Sequence, residues 1–150
     1  MSFSFLVSPS DTALIGLEAL DIIRSAYATY LPGHSYTIEL SCASEAEIQE
    51  LNKQYRDIDE PTDVLSFPTF LNNEEILVVP SDIPILIGSI ILCPSKAKSY
   101  HETLPQLTHH GLLHLLGFDH EEDFQKWSIE ETLVLNFLAQ QGLIIPPVTQ

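Results

Sequence analysis

The chain opens on an alternation: Phe3, Phe5 and Val7 lie two apart, the period of a short strand. Ser8-Pro9-Ser10-Asp11 is turn-like and supplies a helix cap. Ala13, Leu17, Leu20 and Tyr27 then fall on one helical face until Pro32-Gly33 ends the run. Tyr36 to Cys42 alternates again, so strand, helix and strand predict a right-handed parallel crossover. Ser44-Glu45-Ala46-Glu47 has the form of a capping box, and Ile48, Leu51 and Tyr55 continue it at helical spacing; this second helix is predicted to end near Tyr55. A polar loop from Arg56 to Thr62 leads to a third strand, Asp63 to Phe67, stopped by Pro68. The stretch from Thr69 to Ile87 predicts a loop with an edge strand at Ile76 to Val79, and Ser89 to Cys93 a fourth strand.

The rest of the pattern is helical. Pro94 opens a helix toward His101, and another runs from Thr103-Leu104-Pro105 to Gly117. After Gly111 that helix reads Leu112-Leu113-His114-Leu115-Leu116, apolar almost all round, which predicts a central, buried position. A last helix follows Asp119, with Glu121, Glu122 and Asp123 in its first turn, where the helix dipole favours acids; it is expected to end near Gly142. The 150 residues read as a single domain, 1–150, with a short C-terminal tail from about 143. The expected class is α+β: a small mixed sheet of about four strands packed with helices around a buried central helix.

Composition narrows the function. An apolar share of 45% against 18% charged residues fits a globular chain. Six Lys and Arg stand against 21 Asp and Glu, a net charge of −15, which argues against a DNA coat or a polybasic membrane binder. Met1 to Leu6 has no basic region, and the most apolar stretch, Ile76 to Cys93, is interrupted by Pro80, Asp82 and Pro84. The expectation is a cytoplasmic protein with no membrane and no DNA partner. Cys42 and Cys93 read as reduced, buried thiols.

The chemistry concentrates in His110, His114 and His120. The first two are four apart on one helix, so both imidazoles leave the same face. Gly117 can end the helix in a left-handed turn, letting His120 swing back. Three imidazoles without a nearby fourth Cys or His fit one zinc ion with an open coordination position, hence a catalytic rather than a structural metal. The spacing is that of metzincin peptidases, but their general-base Glu is replaced by Gly111. That speaks against peptide hydrolysis. Core histidines, a structural metal, and a hydrolase for another substrate stand as alternatives. His109 points about 100° away on the helix and reads as a neighbour, not a ligand. Asp119 is either a partner for the His120 ring N–H or a helix cap. His34 and His101 carry no assigned role.

The run from His110 to His120, His-Gly-Leu-Leu-His-Leu-Leu-Gly-Phe-Asp-His, resembles the signature of the bacterial YbeY family of metal-dependent endoribonucleases. Leu51 to Asp57 followed by Pro61 to Pro68, and Gly88 to Cys93, are similar to other stretches of that family. The resemblance implies an α+β fold, zinc held by His110, His114 and His120, and cleavage of single-stranded RNA. It also implies a role in ribosomal RNA processing, notably at the small-subunit 3′ end, and in ribosome quality control. The family's functionally important arginine falls on Arg56, whose reading from the residues alone is either a phosphate-binding fork or a surface ion pair with Asp57 or Asp59. The chain departs from the family at Phe118, commonly Tyr, at Ser89, commonly an acid, and at His109, usually aliphatic.

A net charge of −15 opposes a polyanionic substrate, and only Arg24, Lys53, Arg56, Lys96, Lys98 and Lys126 counter it. Lys53, Arg56, Lys96 and Lys98 are expected to flank the groove. Binding to naked RNA is therefore expected to be weak and salt-sensitive, with a ribosomal or protein partner delivering the substrate. Cleavage of ribosome-bound RNA should outpace cleavage of the same RNA free at physiological salt; equal rates would refute this.

Overall fold

The structure is a computed structural model that describes residues 3–28, 34–69, 78–80 and 82–116. Among these, four strands form one mixed sheet: β1 (Phe3–Leu6), β2 (Tyr36–Cys42), β3 (Val64–Pro68) and β4 (Ile85–Leu92), in the order β1-β2-β4-β3. β1, β2 and β4 run parallel, and β3 lies antiparallel on β4 as an edge. Five helices accompany them: α1 (Pro9–Ile15), α2 (Leu17–Ala26), α3 (Glu45–Arg56), α4 (Pro94–Ser99) and α5 (Leu104–Leu115). The α+β class and the four-stranded mixed sheet agree with the sequence pattern.

Two boundaries differ, each for a local reason. The single helix expected from Ala13 through Tyr27 is two helices, because Gly16 adopts φ 112°, a conformation that L side chains avoid. β4 starts at Ile85, before the expected Ser89. A one-residue register shift opposite Thr37 and Ile38 lets Ile87 stay buried, so the run does not alternate where a strand reading requires it. The expected edge strand at Ile76 to Val79 lies mostly outside the described residues, and Val78 and Val79 sit in a turn. The helix expected after Asp119 and the tail lie wholly outside them. The capping box at Ser44 is formed as read: Ser44 Oγ accepts from Glu47 N, and Glu47 Oε1 accepts from Ser44 N, both at 3.2 Å.

The sheet has two unlike faces. Phe3, Tyr36, Ile38, Leu40, Ile90 and Leu92 line one, packed with Leu20 and Ile23 of α2 and Leu112 and Leu113 of α5 in the main core. On the other face Ile48, Leu65 and Cys93 are buried, with Leu51, Phe67 and Ile91 packed around them; this is where α3 docks. α5 is the buried helix that the Leu-rich run anticipated, with Leu112 and Leu113 fully buried.

α5 meets the sheet at glycine. A Cβ on Gly111 would come within 2.9 Å of Ile90 Cγ2 and 3.0 Å of Ser66 Oγ, and one on Gly88 within 2.4 Å of the Phe67 carbonyl oxygen and 2.8 Å of Leu115 Cδ2. Glycine inside a helix costs about 1 kcal/mol relative to alanine, so at Gly111 the close approach outweighs propensity. α5 also carries a polar anchor: Tyr27 Oη and His109 Nε2 lie 2.6 Å apart, both residues buried. The Tyr36 hydroxyl donates to the Tyr27 carbonyl, extending the link into β2.

Two outcomes follow from this packing. Gly88→Ala must displace backbone, whereas Gly111→Ala meets side-chain atoms. Each should lower stability by about 1–3 kcal/mol, read as a drop in Tm of roughly 2–12 °C, with Gly88→Ala the larger. Burial, with a smaller contribution from His110, lowers the His109 pKa from 6.5 to about 3. The unfolded chain takes up a proton below pH 6.5 while folded His109 does not, so this group's stability is complete above 6.5 and declines as pH falls toward 3. Urea titrations at pH 7 and 5 should show a smaller pH loss in the Tyr27→Phe/His109→Leu double variant, which removes the polar pair together.

Candidate active site

His110 and His114 lie one turn apart on the same face of α5, being four residues apart in the helix. The His110 ring is half-buried and that of His114 exposed. Their Nε2 atoms are 3.2 Å apart and the rings meet edge to face. Two nitrogens on one tetrahedral zinc, at Zn–N of about 2.0–2.1 Å, are separated by about 3.3–3.4 Å. The pair therefore fits two ligands of one ion. His120, the expected third ligand, lies outside the described residues, as do Gly117, Phe118 and Asp119. Among the described residues no group of three or more His, Cys, Asp and Glu is arranged to hold a metal.

Arg56 reaches the same place from the other side of the sheet edge. It is the last residue of α3, and Asp57 caps that helix in the left-handed conformation at φ 59°, turning the chain back. The loop after it is tied to the helix it left. The buried Asn52 Nδ2 donates to the Glu60 carbonyl at 2.9 Å, and Gln49 Nε2 donates to Asp59 Oδ1 at 3.1 Å. At the start of β3, Asp63 Oδ1 accepts from Val64 N at 2.8 Å and from Thr62 Oγ1 at 3.2 Å. Beside this loop lies a cleft of about 400 Å³ whose lining includes Arg56, Thr62, Asp63, Ser66, His110 and His114. Arg56 and the two histidines, fifty-odd residues apart in the chain, thus share one cavity.

Of the four cations expected to flank the groove, Arg56 alone is among its lining residues. Lys96 instead approaches Glu45 at 3.6 Å. Ser89, where the family commonly has an acid, donates to Glu39 Oε2 at 3.1 Å across the β2–β4 pairing. His109 is buried in the core, not turned to the cleft. His101 takes a left-handed turn after α4. Cys93 is buried and Cys42 half-buried; burial first, and then the Asp11 carboxylate, push the Cys42 thiol up to about 11.

Sequence reasoning gave no role to Glu102. It follows α4, with its backbone N–H bonded to the Ala97 carbonyl at 2.9 Å. A second cavity of about 200 Å³ adjoins the cleft there, lined by Asp63, Val64, Glu102, Gln106, Leu107 and His110. Burial, and then the facing Asp63 carboxyl, push the Glu102 pKa up to about 7. The signal for Asn52, Thr62 and Asp63 was present in the second family-like stretch; Glu102 and Gln106 lie outside both motifs.

The chain is similar to known proteins over most of its length. Residues 15–137 match the family model described as Endoribonuclease YbeY. A protein named Endoribonuclease YbeY from Aliarcobacter butzleri is 46% identical over 117 residues, 72% of this chain and 78% of the relative. Its namesake in Francisella tularensis subsp. novicida is 36% identical over 122 residues, 75% and 72% of the two chains. The solution structure of a Thermotoga maritima protein covers 99% of both chains with a TM-score of 0.52 at 25% identity. The chain belongs to the endoribonuclease YbeY family.

Proposed function

We propose that the cleft is the active centre of a zinc-dependent endoribonuclease that cuts single-stranded RNA, with one zinc ion per chain held by His110, His114 and His120. The endoribonuclease role follows from the family. The observation that supports the metal-dependent reading is the convergence of two imidazole Nε2 atoms, 3.2 Å apart, on a cavity that also receives Arg56. A bound zinc ion would supply Lewis acidity beside the scissile phosphate at neutral pH.

The chain's own groups account for the rest. The Arg56 guanidinium is planar and always charged, and its fork matches two nonbridging phosphate oxygens as negative charge builds on them. The Asn52 and Gln49 bonds hold the loop behind it, which limits the reorganisation needed when substrate arrives. Thr62 and Ser66 add hydroxyls to the cleft wall. The cleft is open, so an unpaired strand can enter it. In this reading the protein works in the cytoplasm on ribosomal RNA, including maturation of the small-subunit 3′ end, and in ribosome quality control, and the ribosome or a ribosome-associated protein presents the RNA. Among the described residues no helix is long and apolar enough to cross a membrane.

His114→Ala is expected to lose bound zinc and RNA cleavage while its far-UV circular dichroism and Tm stay near those of the parent. A collapsed fold would instead favour a structural metal. Arg56→Ala should lower kcat by about 10²–10³ with zinc content unchanged, measured by elemental analysis beside cleavage of a labelled single-stranded RNA.

A further inference from the structure

The cleft and the side cavity differ in charge. Arg56 lines the cleft with the two histidines, whereas the side cavity brings two carboxyls, Asp63 and Glu102, and the amide side chain of Gln106, around a space of about 200 Å³. The two spaces join, because Asp63, Val64 and His110 line both. A phosphate would be repelled from the side cavity and attracted to the cleft. A nucleotide has the matching division: its anion is the phosphate, and its base carries N–H donors on an uncharged ring.

We propose that the side cavity holds a nucleobase adjoining the phosphate in the cleft, and that it takes bases bearing an exocyclic amino group, adenine, cytosine or guanine, in preference to uracil. This rests on the reading of the cleft as the RNA-cleaving centre. Adenine N6, cytosine N4 and guanine N2 each present an NH₂ donor; the Asp63 carboxylate is an acceptor, and Glu102, whose carboxyl hydrogen-bonds Asp63, still offers its carbonyl oxygen. Asp63 is fixed for this use, because Oδ1 already accepts from Val64 N and Thr62 Oγ1. Gln106, within the first turn of α5, offers both a donor and an acceptor for a second position on the base edge. Uracil carries a carbonyl oxygen at C4, where cytosine has N4 and adenine N6, and another at C2, where guanine has N2, so in either seating it sets acceptor against acceptor. Val64 and Leu107 supply apolar walls for the faces of a heterocycle. Single-stranded RNA is the form whose bases are free to splay into such a space.

Fluorescence anisotropy with the zinc-loaded protein and four labelled heptaribonucleotides tests this: one all uridine, and three with a single central A, C or G. Wild type should bind each of the three at least about tenfold tighter than the uridine strand, the discrimination of one well-formed base contact. Glu102→Leu and Gln106→Leu, on different parts of the cavity, should each bring all four within about twofold. Equal affinities in wild type, or a preference that survives in both folded variants, would overturn the proposal. Cleavage of the same strands separates the two readings. A base preference without cleavage keeps the cavity assignment and removes the nuclease reading, and cleavage without a preference does the reverse.

Discussion

The site depends on how closely α5 approaches the sheet. At Gly111 the helix backbone lies so near Ile90 and Ser66 that one methyl group would collide, and at Gly88 the sheet makes room for Leu115 in the same way. Such contacts leave little freedom for sliding or rotation, because packed interiors do not deform continuously. The helix phase is further set by Leu112 and Leu113 in the core and by the buried Tyr27–His109 hydrogen bond. With these positions turned inward, 110 and 114 lie along the border of the core and face the cleft. A histidine pair held by an apolar helix is placed as rigidly as the core itself.

The other half of the site is positioned by polar contacts. Arg56 leaves the end of α3, and the loop behind it is held by side chains of that same helix, Asn52 and Gln49. The capping box at Ser44 fixes the far end of the helix. Across the sheet edge, Thr62 and Asp63, just before β3, and Ser66 on it reach the same cavity. The division suits the charge of the chain: at −15 overall, the protein gathers cation and imidazoles in one cleft, with Asp63 at its border, and sets a second carboxyl, Glu102, in the space beside it. Local arrangement, not net charge, governs what such a cleft receives.

Much of the frame was legible from residue order. The strands at Tyr36 to Cys42 and Val64 to Pro68, the capped helix after Ser44 and the buried helix around Leu112 each carry a period or a cap that reports local backbone geometry. The break at Gly16 and the early start of β4 were not legible. Gly16 interrupts a continuous apolar face, and the β4 register shift places Ile87 inward where alternation would place it outward.

At the site, the sequence by itself determined that His110 and His114 share a helical face, since spacing along a helix is a local property. It also marked Arg56 and the stretch around Asp63, through likeness to a family. Tertiary structure alone decided that Arg56 and the histidines line one cleft, that Lys96 turns to Glu45 instead, that His109 bonds Tyr27 in the core, and that Glu102 faces Asp63 beside His110. Each of these depends on chain segments far apart in order, brought together by the sheet and the close seat of α5 on it, and no periodicity along the chain encodes such a distance.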